Sequence, residues 1–161
     1  MTDRAKETIF NILGETVSGG MVLDLFSGSG SLGLEALSRG ASHVTFVEKG
    51  PWARKSILEN LKQLHLEKKA TFLEWDVFRA LRTLDKKGKT FTLIFADPPY
   101  NQGLVKKILN QLDHSDIFTS LTQLVLHRSR QEKLPDSLEN LRVLREKQIG
   151  QACLSFLSRR T

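Results

Sequence analysis

Short apolar runs alternate with amphipathic stretches along most of this chain. The apolar runs have the length and the β-branched and aromatic content that are typical of buried strands. Between them, apolar residues recur every three or four positions, which predicts helices that pack by one face. The predicted strands cover residues 21–26, 43–48, 70–75, 91–96 and 121–127, and the predicted helices cover 5–13, 32–37, 51–64, 77–84 and 104–112.

This alternation predicts an α/β fold with a doubly wound, mostly parallel sheet and right-handed crossovers. We expect one domain over residues 1–161, in which residues 1–20 form a helix and turn before the first strand. Two final apolar stretches turn at Gly150-Gln151 and predict a C-terminal antiparallel hairpin. Ligands bind such sheets outside the carboxyl ends of the strands, near the point where the strand order reverses. Polar residues at or just after those ends mark the expected site: Asp24, Glu48, Asp76, Asp97 and His127.

The strand predicted over residues 91–96 ends at the tetrapeptide Asp97-Pro98-Pro99-Tyr100. Neither proline can donate to a ladder, and Pro99 biases Pro98 toward an extended conformation. The loop therefore holds a carboxylate, a carbonyl and an aromatic ring in fixed relation. Such a set can accept hydrogen bonds from a planar amine and stack on the ring that carries it. A turn with a capping Asp and a core Tyr explains the same residues equally well.

A glycine-rich turn, GSGSLG over residues 28–33, follows the first predicted strand and opens a helix. It fits the pattern G-x-G-x-x-G, in which Gly28 and Gly30 let a ligand approach the backbone. Glu48 ends the next strand about 20 residues later, where a carboxylate can bind a ribose diol. These features predict an adenosine-type cofactor, but a nicotinamide dinucleotide fits them too.

Asp24 favours a cofactor that carries an amino acid. It stands four positions before Gly28, where nicotinamide-binding strands usually run apolar into the first glycine. A carboxylate there opposes a pyrophosphate but can receive an ammonium group, and S-adenosylmethionine has both an ammonium group and a ribose. Asp76 can hydrogen-bond the adenine amino group or cap the helix that begins at Val77. Both roles are open for Asp76, and we favour the adenine contact.

Composition narrows the class of protein further. The 161 residues are 40% hydrophobic and 26% charged, which is ordinary for a globular protein, and no apolar run is long enough to span a membrane. The charged start lacks the apolar core of a signal peptide, so we expect a cytoplasmic protein. The net charge of +6 fits a polyanionic partner. We expect a monomer without metal, and a buried, inert Cys153.

The two motifs together resemble a known family. Residues 24–40, DLFSGSGSLGLEALSRG, and the tetrapeptide at 97–100 are similar to the bacterial 16S rRNA guanine-N2 methyltransferases of the RsmD type. Residues 2–13 and the Gly150-Gln151 turn with its following strand are similar to that family as well. The resemblance covers essentially the whole chain. It implies a Rossmann-like class I S-adenosylmethionine-dependent methyltransferase that acts on 16S rRNA or on the assembled small ribosomal subunit.

The resemblance also implies roles for individual residues. Asp97 and Pro98 would hold the target amine, and Tyr100 would pack on the target base. The cofactor site would be formed by Asp24, Phe26, Gly28, Gly30, Glu48, Lys49, Asp76 and Val77. The basic residues that are natural RNA contacts are Arg4, Lys49, Lys106, Lys107, Arg128 and Arg130.

Two features depart from the family pattern. Members usually begin with a basic, glycine-containing segment ahead of the part matched by Thr2; without it we expect weaker RNA affinity or a start that lies upstream. The fifth strand is predicted to end in His127-Arg128-Ser129-Arg130, where the family has an acidic residue. That difference adds positive charge beside the predicted site.

Three other functions share parts of this pattern. A DNA adenine-N6 or cytosine-N4 methyltransferase has the same tetrapeptide, but this chain has little room for a target-recognition domain. A nicotinamide-dependent oxidoreductase leaves the tetrapeptide unexplained. A non-catalytic RNA-binding assembly factor would keep the cofactor fold without needing Asp97.

Overall fold

A seven-stranded sheet runs through the computed structural model, which describes all 161 residues. Its strands lie in the order β3-β2-β1-β4-β5-β7-β6. The first five strands pair in parallel, whereas β7 is antiparallel to both β5 and β6. The strands are β1 (Met21–Leu25), β2 (His43–Val47), β3 (Ala70–Leu73), β4 (Phe91–Ala96), β5 (Phe118–Ser129), β6 (Leu141–Ile149) and β7 (Ala152–Arg159).

Five α-helices connect or precede the parallel strands: α1 (Asp3–Leu13), α2 (Ser31–Ser38), α3 (Pro51–Leu64), α4 (Val77–Lys86) and α5 (Leu104–Asp113). Local sequence explains where they begin and end. Thr2 caps α1 by accepting a hydrogen bond from the backbone N–H of Ala5 at 3.1 Å. Gly14 ends α1 with a φ of 53°, and Pro51 occupies the first turn of α3. None of the helices has the length and apolar composition needed to cross a membrane.

The helices cover the two faces of the sheet, and each face has its own apolar core. Residues of α4 and α5, such as Leu81 and Ile108, pack on one face. Residues of α1, α2 and α3, such as Ile9 and Ile57, pack on the other. These four side chains are at most 1% exposed. Burial of each contributes about 2 kcal/mol of transfer free energy, so both faces hold the sheet in place.

The predicted fold class is confirmed, including the antiparallel hairpin at the C-terminal end. The largest difference lies in β5, which begins at Phe118 and continues to Ser129, beyond the predicted limits at both ends. Pairing with both neighbouring strands explains the extension, because Phe118 pairs with Phe91 of β4 and β7 runs beside β5 as far as the pair Ser129 and Ala152. Arg128 therefore lies inside a strand and not after it.

The order of the strands fixes the position of the site. The chain places β2 and β3 on one side of β1 and places β4 and β5 on the other. The loops after β1 and β4 therefore diverge to opposite faces and leave a crevice at their carboxyl ends. The glycine-rich turn follows β1, and the tetrapeptide follows β4.

The third glycine of the turn sets the distance between α2 and β2. A Cβ atom at Gly33 would stand 2.4 Å from Cε1 of Phe46, whose ring is fully buried. Alanine gains about 1 kcal/mol over glycine in a helix interior, but overpacking of a core costs about 1–3 kcal/mol. We expect Gly33→Ala to lower the free energy of unfolding by up to about 2 kcal/mol in urea denaturation. Ser38→Ala, at an exposed position of the same helix, should change it by less than about 0.5 kcal/mol. Equal effects of both substitutions would contradict close packing at Gly33.

Candidate active site at the carboxyl ends of the strands

A cavity of about 620 Å³ opens at the carboxyl ends of β1 to β4. Its walls come from the loops after those strands and from the first residues of the chain, including Lys6 of α1. Lys6 donates a hydrogen bond to Ser31 Oγ at 3.1 Å, which joins α1 to the start of α2 beside the cavity. The volume lies within the range of about 300–1,000 Å³ that small-molecule and cofactor sites occupy.

The loop after β1 is held open by its own hydrogen bonds. Ser27 Oγ donates to the carbonyl of Asp24 at 2.6 Å and accepts from the backbone N–H of Val47 at 3.0 Å. Phe26 and Gly28 both have positive φ, at 57° and 54°. A Cβ atom at Gly28 would meet no atom within 4 Å. The backbone therefore turns sharply there and leaves space for a ligand.

Glu48 joins this loop to the one that follows β2. Its Oε1 accepts a hydrogen bond from the backbone N–H of Gly28, and its Oε2 accepts one from Gly50, both at 3.0 Å. A carboxylate oxygen can accept more than one hydrogen bond, so each retains capacity toward the cavity. The loops thus hold the carboxylate at the cavity wall, where it can receive a pair of hydroxyl groups.

Asp24 is a buried carboxyl group that lines the cavity and is only 2% exposed. Its Oδ2 accepts a hydrogen bond from the backbone N–H of Gly33 at 3.1 Å. Burial raises the pKa of Asp24 to about 8; the bond from Gly33 opposes this shift, and the charges of Asp97 and Glu48 add to it. A buried carboxyl group that is costly to ionise alone is suited to a cationic ligand, which stabilises its charged form.

Asp76 combines the two roles that its position in the sequence left open. Its Oδ2 accepts hydrogen bonds from the backbone N–H groups of Phe78 and Arg79, at 3.2 and 3.3 Å, so it caps α4. The residue is nevertheless exposed and lines the cavity. Its other oxygen has no partner within the chain. The cap is confirmed, and the adenine contact through Oδ1 stays a prediction.

The predicted cofactor residues come together at this cavity with one exception. Gly30 does not line it. The residue adopts a φ of 79° at the start of α2, and a Cβ atom there would stand 2.6 Å from Cγ1 of Ile57. Packing against α3 therefore explains this glycine. The residues that do line the cavity are Asp24, Phe26, Gly28, Glu48, Lys49, Asp76 and Val77.

The tetrapeptide after β4 forms the opposite wall. Asp97, Pro98 and Tyr100 all line the cavity, with Asp97 partly exposed and Tyr100 40% exposed. Oδ1 of Asp97 lies 2.8 Å from Nδ1 of His127, which is 5% exposed. The tetrapeptide therefore faces the predicted cofactor residues across one cavity, and its role as an amine-holding loop stays a prediction.

His127 is a site residue whose role the sequence did not reveal. Besides the contact with Asp97, its Nε2 lies 3.4 Å from the Tyr100 hydroxyl, and the two rings stack with centroids 5.7 Å apart. Burial raises the pKa of Tyr100 above its ordinary value, and the charges of Asp97 and Glu132 add to this effect. The sequence placed His127 near the end of β5, but only the register of β4 and β5 shows that it reaches Asp97.

The cavity also has an apolar wall between these two sides, which the sequence did not predict. Phe78 belongs to α4, and Trp75 and Leu104 flank the neighbouring loops. Flat and branched apolar side chains of this kind favour an adenine ring or another planar group. Their signal in the sequence was the position of Trp75 directly before Asp76, at a strand end.

Arg128 requires a correction, because the structure does not leave it free for RNA. It is 8% exposed and donates hydrogen bonds to the carboxylate of Glu146, to Ser155 Oγ and to a backbone carbonyl. Partial burial raises the pKa of Glu146, but hydrogen bonds from Arg128, Ser155 and Cys153 and the charge of Arg128 outweigh it and hold that pKa below its ordinary value. The adjacent Cys153 is buried as predicted, and its burial raises the pKa of the thiol.

The other predicted RNA contacts are exposed but scattered. Lys106 and Lys107 lie on α5, where the ammonium of Lys107 stands 4.1 Å from the centre of the Phe78 ring. Arg4 and Arg130 lie near the turn between β6 and β7; Arg4 lines a smaller cavity with Tyr100, and Arg130 donates to the carbonyl of Gly150. None of these four lines the main cavity, so any contact they make lies outside it.

Comparison with known proteins gives full-length matches. The family model described as Conserved hypothetical protein 95 matches residues 1–158. The Bacillus subtilis protein YlbH is 37% identical over 159 residues, which are 99% of this chain and 86% of that protein. Ribosomal RNA small subunit methyltransferase D of Escherichia coli strain K12 is 32% identical over 158 residues, which are 98% of this chain and 78% of that protein.

Solved structures agree with the sequence matches. The structure of the Escherichia coli protein yhhF superposes with a TM-score of 0.85 at 32% identity, over 98% of this chain and 85% of that one. A more distant structure, an RNA methyltransferase from Salinibacter ruber in complex with S-adenosyl-L-homocysteine, has a TM-score of 0.70 at 16% identity, over 99% of this chain and 92% of that one. The latter shares the fold.

Proposed function

The chain belongs to the Conserved hypothetical protein 95 family, in which it resembles the RsmD-type enzymes, and we propose that it methylates the exocyclic N2 amine of a guanine in 16S rRNA. It is an S-adenosylmethionine-dependent methyltransferase. One observation supports the proposal most strongly. The carboxyl groups suited to the cofactor and the acceptors suited to an amine face each other across a single cavity.

The residues of the cofactor wall fit S-adenosylmethionine. Its ammonium group requires a negative partner, and Asp24 is a buried carboxyl group at the cavity. Its ribose requires acceptors, and Glu48 is held in place by two backbone N–H groups. The open space at Gly28 admits the ligand next to the main chain. When bound, the cofactor supplies an electrophilic methyl group.

The residues of the opposite wall prepare an amine. The lone pair of a guanine amine is delocalised into the ring, so the free amine is a poor nucleophile. Asp97 and the carbonyl of Pro98 can each accept one N–H bond, which favours a pyramidal nitrogen whose lone pair points away from both acceptors. The negative charge of Asp97 also stabilises the positive charge that develops on nitrogen. Holding the amine in a fixed position lowers the activation free energy of methyl transfer by several kcal/mol.

The target base must leave its stack to enter the cavity, as base-modifying enzymes require. Tyr100 is 40% exposed at the cavity mouth, where its ring can stack on the base. A second cavity of about 530 Å³ shares Tyr100 and His127 with the first. Arg4 and the Gly150-Gln151 turn line it, so a cationic side chain and backbone groups stand where the flanking nucleotides would pass. We extend the proposal to a monomeric, cytoplasmic protein that acts without a metal ion.

Transfer of a labelled methyl group from S-adenosylmethionine tests the class of substrate. We expect small ribosomal subunits or free 16S rRNA from cells without guanine-N2 methylation to accept label, because the net charge of +6 fits a polyanion and the acceptors of the tetrapeptide fit a base amine. Large ribosomal subunits are the matched control and should accept little. The comparison of subunit with free rRNA identifies which form presents the base.

Other outcomes of this assay, together with a titration of cofactors, distinguish the alternatives. Label that appears only in double-stranded DNA would favour an adenine-N6 or cytosine-N4 methyltransferase. RNA binding without any transfer would favour an assembly factor. NAD binding in a titration that shows no binding of S-adenosylmethionine would contradict the cofactor.

A further inference from the structure

The pairing of β4 with β5 brings Asp97 and His127 together. Ala96 and Leu126 are partners in the parallel register of β4 and β5, and Asp97 and His127 are the residues that follow them in the sequence. Parallel neighbours lie about 5 Å apart, so side chains that leave the two strands on the same side come within reach of each other. The observed distance from Nδ1 to Oδ1 is 2.8 Å.

The chemistry of the two groups fixes the direction of this hydrogen bond. An ionised carboxylate only accepts, so Nδ1 of His127 must carry the proton that it shares with Asp97. No other side chain in the protein donates to Asp97. His127 therefore occupies Oδ1, and Oδ2 keeps its capacity for the target amine.

The same imidazole also fixes Tyr100. Its Nε2 faces the Tyr100 hydroxyl at 3.4 Å, and the rings stack at an interplanar angle of 26°. Tyr100 is 40% exposed, but His127 is 5% exposed and lies within a strand that has neighbours on both sides. One rigid side chain thus contacts both groups that face the target base.

We propose that His127 is a positioning residue that holds the Asp97 carboxylate and the Tyr100 ring in the orientation needed for the target base. This inference rests on the proposed function of the tetrapeptide. It means that β5 contributes a residue to the side of the cavity that receives the target base, in addition to the tetrapeptide at residues 97–100. His127 acts through Asp97 and Tyr100, and it does not contact the methyl group.

Two substitutions separate the hydrogen bond from the shape of the ring. His127→Phe keeps an aromatic ring against Tyr100 but cannot donate to Asp97. His127→Asn places an amide N–H near the position of Nδ1 and can restore that bond. We expect kcat for methyl transfer to small subunits to fall about tenfold to a hundredfold in His127→Phe and to recover in part in His127→Asn. The Kd for S-adenosylmethionine and the thermal midpoint should change little in His127→Phe.

The result that overturns the inference is a kcat of His127→Phe equal to that of the wild type. A matching rise in the Kd for S-adenosylmethionine in His127→Phe would overturn it too, since His127 would then act on the cofactor and not on the target base. If the wild type does not methylate small subunits, the proposed function fails before His127 is tested. If His127→Phe does not fold, the wild-type protein can be tested without substrate. ¹⁵N NMR of its His127 imidazole should show a proton on Nδ1. An unprotonated Nδ1 at neutral pH would contradict the positioning bond.

Discussion

Asp97→Asn is expected to lower kcat for methyl transfer by about a hundredfold or more while cofactor binding persists. Asparagine has nearly the same shape, and its carbonyl oxygen can still accept from His127. Its amide N–H₂ would face the target amine, however, so that two donors would meet where an acceptor is required. The substitution also removes the charge that stabilises the developing positive charge on nitrogen. Single-turnover methylation of small subunits, together with calorimetric titration of the cofactor, would measure the two effects separately.

Glu132→Gln is the matched control for this experiment. Oε1 of Glu132 accepts a hydrogen bond from the backbone N–H of Asn101 at 2.7 Å, directly after the tetrapeptide. Glutamine can accept the same bond, so this variant removes one negative charge near the loop and leaves the Asp97 acceptor intact. We expect its kcat to stay close to that of the wild type. Equal losses in Glu132→Gln and Asp97→Asn would show that the local charge matters and that the acceptor at Asp97 does not.

Asp24→Asn is expected to stabilise the cofactor-free protein and to weaken cofactor binding. The buried Asp24 carboxyl has a pKa raised to about 8, mainly because burial disfavours its charged form. Asparagine can still accept the bond from Gly33, but it has no charge to bury. It also cannot offer a negative charge to an ammonium group. We expect the Kd for S-adenosylmethionine to rise about tenfold to a hundredfold, which corresponds to about 1.4–2.8 kcal/mol.

The change in stability should depend on pH. Below about pH 3.8, the ordinary pKa of an Asp side chain, the carboxyl is protonated in both the folded and the unfolded chain. Between there and about pH 8 the unfolded chain releases its proton while the folded chain keeps it, so the wild type loses stability relative to the variant. The loss is about 1.4 kcal/mol for each pH unit at most. The advantage of Asp24→Asn should therefore be small near pH 4 and largest at pH 8 and above.

Urea denaturation at several pH values would measure this difference, with Asp136→Asn at an exposed position as the control. Calorimetry at pH 7 gives an independent test, because the cofactor should displace a proton from Asp24. The number of protons released, obtained in buffers of different ionisation enthalpy, should be larger for the wild type than for Asp24→Asn. A variant that is less stable than the wild type at pH 8 would contradict the cost of burying this charge.

The sequence predicts the scaffold and the edge on which the site lies, because both follow from local patterns. Apolar periodicity separates the strands from the helices, and the strand ends place Asp24, Glu48 and Asp97 at one edge of a parallel sheet. The glycines show a limit of the same reasoning. Gly28 opens onto the cavity, whereas Gly30 fits the same motif but is explained by its packing on Ile57. A motif gives the spacing of its residues and not the direction in which each faces.

Contacts between distant strands could not be predicted from the sequence. His127 reaches Asp97 because β4 and β5 pair in a particular register, which the pattern of residues does not specify. The sequence predicts Arg128 as an RNA contact, but the hairpin of β6 and β7 extends the sheet beside it and supplies Glu146 as its partner. Both cases depend on how a later segment packs on an earlier one.

The identity of the modified base is the most direct test of the central claim. Small subunits from cells without guanine-N2 methylation would be incubated with the protein and S-adenosylmethionine, their rRNA digested, and the nucleosides identified by mass spectrometry. We predict N2-methylguanosine as the new nucleoside, formed by the wild type and strongly reduced with Asp97→Asn. A new N6-methyladenosine or N4-methylcytidine, or N2-methylguanosine formed equally well by Asp97→Asn, would contradict the account.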